Sequence, residues 1–575
     1  MSVRIDYSGV ALGAKADFKV SVSEQANVSK AFQLEKSNLV FHNYGNPCEL
    51  YSVLLDGGAW ALPPDSTTLN VGWWSEQLSG DDGKFGEIIY ADFVADNLYT
   101  SNGIYLTFDT FNGIFANDID IIWKKGGETV STKNFKPDSP AYFCHNKVEL
   151  YDEVVIFFKS INMPYNRLKL HAIDYGMHTS FDGSELKRVK IIQEINPISS
   201  DIAVNTCDFM IHSKRDIEFI FEEMQPVKVY FDNQLKSASF IKSSTRKSDS
   251  VWLVETEDYI GLMDKIPYFG GVYTNKNAVE LMQDIFSTAK VPCQIEGTFS
   301  DLSVSGYIPY TTCREALMQV AFAVQASVDT SNVDFVKVFS PNNNIVQKIP
   351  LNRIMQGQDF STPSAVTSVE VVSHTYSKTD EEATLYENIS VESYDNVFLE
   401  FSEPVHDLVI VAGEIISSSE NHAVINASAG CTLKGKKYNH TTTTKTKSNM
   451  DVLQTNSENV ISVKNATLVS DANVDKILES CYNYYINNKT INLKIVDGKH
   501  ELSRTRYKYG TAKYGQFKYG AFSQPSGVEY DTPTNVGDMI ACETAYLGEL
   551  NGRILKQTFS LNGGIIMKDT VLKRT

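Results

Sequence analysis

The chain has 575 residues and a formal net charge of −18, with 42% hydrophobic and 21% charged side chains. A chain this long exceeds one core, so about three to five domains are expected, and ordinary apolar content excludes large-scale disorder. An acidic surface excludes stable nucleic-acid binding through phosphate neutralisation, although it suits a duplex that slides past without sticking.

The segment from Met1 lacks the basic start and apolar core of a secretory signal. No apolar run approaches the ~20 residues that span a bilayer, and Val154–Phe158 reads as a buried strand. Synthesis in the cytoplasm is therefore expected. The eight cysteines are scattered without a Cys-x-x-Cys pair, so buried free thiols are expected, and no metal or cofactor site.

Trp60, Trp73, Trp74 and Trp123 lie in the first 123 residues, and only Trp252 follows. Residues 1–178 are expected to form an all-β sandwich. Ile104, Leu106 and Phe108 alternate with polar neighbours, as do Ile119, Ile121 and Trp123. Leu168, Leu170 and Ala172 do the same, which points Arg167, Lys169 and His171 outward. Trp73-Trp74 is the leading recognition candidate: adjacent strand residues face opposite ways, so one indole can enter the core while the other stacks on a sugar. The alternative is that both pack inside with Trp60 and Trp123. Asp81 and Asp82 stand between glycines as a turn, or as a calcium-assisted loop beside a glycan.

Residues 179–262 read as a β domain, with strands at Ile191–Ile195, Asp208–His212, Val227–Phe231 and Val251–Thr256. Residues 263–345 read as a small α+β domain. Its first helix spans about 277–289 behind Asn277, and its second about 312–326 behind a Thr312/Glu315 capping box. The connection between them is expected to pair a strand carrying Ile295 with one carrying Val304. Residues 346–465 return to β structure, with Val369, Val371 and Ser373 on one face and a polar Thr/Lys ribbon or loop from His440 to Lys447. Residues 466–575 combine a helix at about 471–487 with terminal hairpins. The repeat around Tyr509, Tyr514 and Tyr519 steps by five with a glycine after each tyrosine, which favours an exposed loop, or a contact strip for a partner surface or glycan. The fold class is thus mainly β with an α+β insert.

Catalytic signatures fail on inspection. Gly430–Lys437 approaches a phosphate loop, but Lys437 replaces the metal-binding hydroxyl and no helix follows. His500-Glu501 begins like a zincin helix, yet Arg504 stands where the second ligand belongs. No nucleophile elbow is present, and no carboxylate pair singles itself out. A non-enzymatic protein is expected, with a cell-wall hydrolase as the remote alternative.

Two blocks carry a family resemblance. Leu55–Gly57, Gly72–Ser75, Gly83–Phe85 and Leu106–Asp109 resemble a galactose-binding-like (discoidin-type) jelly roll at the front of prophage tail proteins of Gram-positive bacteria. Asn205–Phe209, Asp258–Asp264, Pro267–Gly271, Arg314–Leu317, Gln319–Phe322 and Val328–Ser331 are similar to the hub of phage tail tips and baseplates. The closing pattern, with Tyr484-Tyr485, Val536–Asp538 and Leu561–Gly564, resembles the same family. The resemblance implies a homotrimeric ring in the virion, at the distal end of the tail tube. Its partners would be the tube, the distal tail protein and the tape-measure protein, with host cell-wall glycan as a further contact. An adhesin whose sandwich is the active part is the runner-up.

Overall fold

The computed structural model describes residues 3–11, 13–26, 29–36, 39–41, 70–213, 221–350, 354, 359–452, 459–487, 489–495, 534–544, 548–562 and 565–574. The protein is mainly β, with several antiparallel sheets and few helices, as the period-two patterning predicts. It divides into two compact units, one comprising Asp6–Ser180 with Asp216–Pro226, the other Met1–Ile5, Phe181–Arg215 and Val227–Thr575.

The smaller unit is built on two long antiparallel strands, Lys84–Phe108 and Ala141–Ile161. The first half of Lys84–Phe108 pairs with Glu153–Ser160, and its second half pairs with Ala141–Tyr151. Three register breaks between Val94 and Gly103 separate the halves. Such bulges bend a strand and let it serve two layers. Lys19–Val22 and Ala116–Lys125 extend one layer, and Lys169–Asp174 with Trp73–Trp74 extends the other. Gly103 is required at the bend: its φ is +146°, and a Cβ there would lie 2.3 Å from the Cys144 carbonyl oxygen. Ile104, Leu106, Phe108, Ile119, Ile121 and Trp123 all face the interior, as their alternation predicts. Full burial of each such side chain contributes roughly 1.5–3 kcal/mol.

In the larger unit a sheet runs from Asp359–Ser361 through Thr490–Ile495, Ile565–Arg574, Gly548–Asn562, Leu186–Glu194, Thr206–His212, Val251–Glu257 and Gln234–Ser248 to Pro226–Phe231. Helices Ala278–Ala289 and Cys313–Val324 form a compact core with Ile260, Met263, Val304 and Val336. Both helix starts are those the sequence predicts. The Asn277 side chain accepts from the N–H groups of Val279 and Glu280, and Thr312 Oγ1 accepts from that of Glu315.

The predicted pairing of Ile295 with Val304 is corrected: Cys293–Glu296 pairs in parallel with Val336–Phe339, whereas Ser303–Ile308 pairs with Gly271–Asn277. The short helix Tyr259–Met263, capped by Asp258, was not expected. Beyond it, Ser368–Glu387 and His422–Ser448 form a long ribbon, and the Thr/Lys run lies within it as strand. Helix Val474–Ile486 packs on the ribbon through Val474, Ile477, Leu478 and Cys481 against Val369 and Val371. The Gly430–Lys437 run is also strand, so no helix N-terminus is presented there. The terminal strands form the expected hairpins.

Candidate functional site

The nominated tryptophans are interior. Trp73 is fully buried in the main core of the smaller unit, and its indole N–H donates to the Glu24 carbonyl at 2.8 Å. Trp74 is 2% exposed and packs with Ala26 and Val71, its N–H donating to the Val71 carbonyl at 2.7 Å. The two side chains do point to opposite faces, as adjacent strand residues must. The face that receives Trp74 is covered too, so neither indole supplies the expected stacking platform. Trp60 lies outside the described residues, as do Tyr509, Tyr514 and Tyr519. Asp81 and Asp82 form a turn. Asp82 accepts from the Lys84 backbone N–H at 3.0 Å and pairs with the Lys84 ammonium at 2.8 Å, which together hold its carboxyl below the usual range.

Lys169 and His171 correct a second expectation. Both are 3% exposed, although their alternation points them away from the core. Lys169 Nζ lies 3.6 Å from the Asp109 carboxylate, itself 2% exposed, and 4.3 Å from the centroid of the Trp74 ring. Asp109 also accepts from the backbone N–H groups of Phe111 and Asn112 at 3.0 and 3.1 Å, and from the Asn112 amide at 2.7 Å. His171 stacks on Phe41, with ring centroids 4.9 Å apart, and Phe111 flanks it at 6.0 Å. Burial pushes the imidazole down to about 4, against the pull of Asp109, so it is neutral at physiological pH. Phe111 is 52% exposed and is the ring of this cluster that faces solvent. The ensemble is a desolvated ion pair and a neutral imidazole beneath an aromatic rim. Sequence inspection missed it because each residue looks like an ordinary solvent-facing polar group on a half-buried strand.

In the larger unit, three of the hub-like sequence blocks meet. Asp258 Oδ1 accepts from the N–H groups of Ile260 and Gly261 at 3.0 and 3.1 Å, capping their helix. Its Oδ2 accepts from the Asn205 N–H at 3.0 Å and from the Thr330 hydroxyl. Asn205 in turn donates to Thr330 Oγ1 at 2.8 Å and accepts from the Glu194 N–H at 2.8 Å. Ser331 closes the neighbouring turn by donating to Asp329 through its N–H and hydroxyl, at 3.0 and 2.7 Å. Residues 205, 258 and 330 thus tie the main sheet to the helical subdomain through one buried node. Burial pushes the Asp258 carboxyl up to about 6, against the donors that surround it. A carboxylate so enclosed fixes geometry and has no open face for substrate.

Among the described residues no group of three or more His, Cys, Asp or Glu side chains is placed to hold a metal ion. None of their helices is long and apolar enough to cross a membrane. Among the described residues seven cysteines are free thiols, six of them buried as expected and Cys293 exposed.

No protein-family model matches the sequence, and no curated protein matches it. Solved structures do show likeness. A tail protein from Neisseria meningitidis MC58 is 10% identical with a TM-score of 0.42, over 69% of this chain and 93% of that one. The 43 kDa tail protein of prophage MuSo2 from Shewanella oneidensis is 8% identical with a TM-score of 0.40, over 69% and 95%. A family 32 carbohydrate-binding module from C. perfringens NanJ, solved with galactose, is 8% identical with a TM-score of 0.19, over 29% and 97%.

Proposed function

We propose that this chain is a structural, non-enzymatic component of a phage or phage-like tail, acting as a hub at the tail tip. The observation that carries the reading is the buried node at Asp258. Sequence blocks some 50 and 70 residues apart resemble tail hubs separately, and they converge on a single hydrogen-bond network. The shared pattern therefore describes a way of joining a sheet to a helical subdomain.

Other features support the same reading. The strand Val405–Ser418 pairs with His422–Ser448 on one side, and no partner strand is found on its other side among the described residues. It presents Val409 and Val411, each 60% exposed. An edge of that kind is suited to pairing with another subunit, and a homotrimeric ring would use it. The net charge of −18 would keep DNA from adhering to a channel wall. Tail-tube, distal tail and tape-measure proteins are the partners this reading requires. Immunogold labelling of purified particles tests it: label confined to the tail end supports the hub, and label absent from particles contradicts it.

A second reading, contact with host cell-wall glycan, is favoured by the exposed Phe111 ring beside the His171 cluster. Retention of the chain on purified cell-wall polysaccharide, abolished by Phe111→Ala in a folded variant, tests it.

A further inference from the structure

The Pro267–Gly271 block has no role in the node at Asp258, yet it builds a surface of its own. Phe269 lies against His422 with ring centroids 4.2 Å apart, and 5.4 and 6.2 Å from the rings of Tyr310 and Phe398. Tyr310 and Phe398 are 5.8 Å apart, closing the group. Phe269 is 41% exposed and Phe398 45%, so aromatic surface stays open to water although the rings touch one another.

Two carboxylates border the rings. A Cβ at Gly271 would lie 3.0 Å from Glu420 Oε2, which puts that carboxylate directly against the Phe269–Gly271 turn. Gly270 lets the same turn lie against Ile308: at φ +60°, a Cβ there would lie 2.1 Å from the Ile308 carbonyl oxygen. Glu400 pairs in register with His422. Both carboxylates act on the Tyr307 phenol, which is pushed up to about 12 by burial first and then by Tyr376, Glu400 and Glu420. Among the described residues neither Glu400 nor Glu420 forms an ion pair with a lysine, arginine or histidine. Burial lowers the His422 imidazole, which disfavours its charged form.

Aromatic faces beside unneutralised carboxylates attract a cation through the ring quadrupole and the fixed charge together. The two charged groups that border the rings are both carboxylates, which favours a cation over a neutral ligand. We propose that this patch binds an organic ammonium group, with Phe269 and Phe398 as its faces and Glu420 as its counter-charge. This inference is independent of the tail reading.

Calorimetric titration of the full chain with choline chloride, a lysine-rich peptide, galactose and the neutral isostere 3,3-dimethylbutan-1-ol tests it. Saturable choline or peptide binding is expected, with the isostere at least about tenfold weaker because shape without charge leaves the carboxylates unpaired. The tighter of the two cationic ligands then identifies the source, a free quaternary ammonium or a protein side chain. Phe269→Ala and Glu420→Gln should each weaken binding about tenfold or more while the thermal midpoint stays close to that of the parent, since Phe269 is exposed and Glu420 is half-buried with no ion pair to lose among the described residues. The proposal is overturned by equal binding of choline and its isostere, by preference for galactose, by unchanged affinity in folded Glu420→Gln, or by no saturation below about 50 mM cation.

Discussion

Replacing Asp109 with asparagine isolates the buried ion pair of the smaller unit. The substitution keeps the size of the side chain and one acceptor oxygen, which can still serve the Phe111 and Asn112 N–H groups. The new amide NH2 must then face both the Asn112 amide and the Lys169 ammonium, two donors where the carboxylate met both. Removing one member of a buried pair typically costs about 3–5 kcal/mol, because the surviving charge stays desolvated. The Trp74 face recovers part of that cost by holding the ammonium. A net loss of about 3 kcal/mol is therefore expected, and the double variant Asp109→Asn/Lys169→Met should regain at least about half of it. Urea unfolding followed by fluorescence of the buried tryptophans measures both. A single-variant loss below about 1 kcal/mol would mean that the Lys169 ammonium does not depend on Asp109, and the account of this cluster would fail.

Other outcomes follow from the same structure. Asp258 titrates near 6 when folded and near 3.8 in its ordinary state. The folded state therefore holds the proton more tightly. Its contribution is fully present below about pH 4 and is lost as pH rises through about 6, a swing of up to about 3 kcal/mol. The stability difference between the parent and Asp258→Asn, measured from pH 4 to 7, should shrink in that direction; a flat difference would contradict the assigned burial. Trp73→Ala should cost about 3–5 kcal/mol, as a core truncation does; an exposed sugar platform would lose almost nothing. Val409→Lys with Val411→Lys should lower the oligomer fraction in light scattering without lowering the thermal midpoint of the isolated protomer, because both valines face solvent.

Local patterns were legible in the sequence and non-local covering was not. Asn277 and Thr312 announce their helices because a cap needs only residues within one turn. Ile104 through Phe108 reveal their inward set because period two is a property of the strand itself. Lys169 and His171 follow the same alternation and point away from the core, yet they are buried. Their covering comes from Trp74, Phe41 and Phe111, which lie far from them in the chain. Ile295 and Val304 were mispaired for a related reason: the partner of Cys293–Glu296 arrives some 40 residues later, after a complete helix. The ring group at Phe269 draws on residues as distant as His422, so no local pattern revealed it.

Self-association is the claim on which the functional account stands, and multi-angle light scattering of the purified full chain addresses it directly. The account predicts a species near three times the protomer mass of 64.2 kDa at micromolar concentration. A stable species at the single-protomer mass, unchanged when purified tail-tube protein is added, would contradict it.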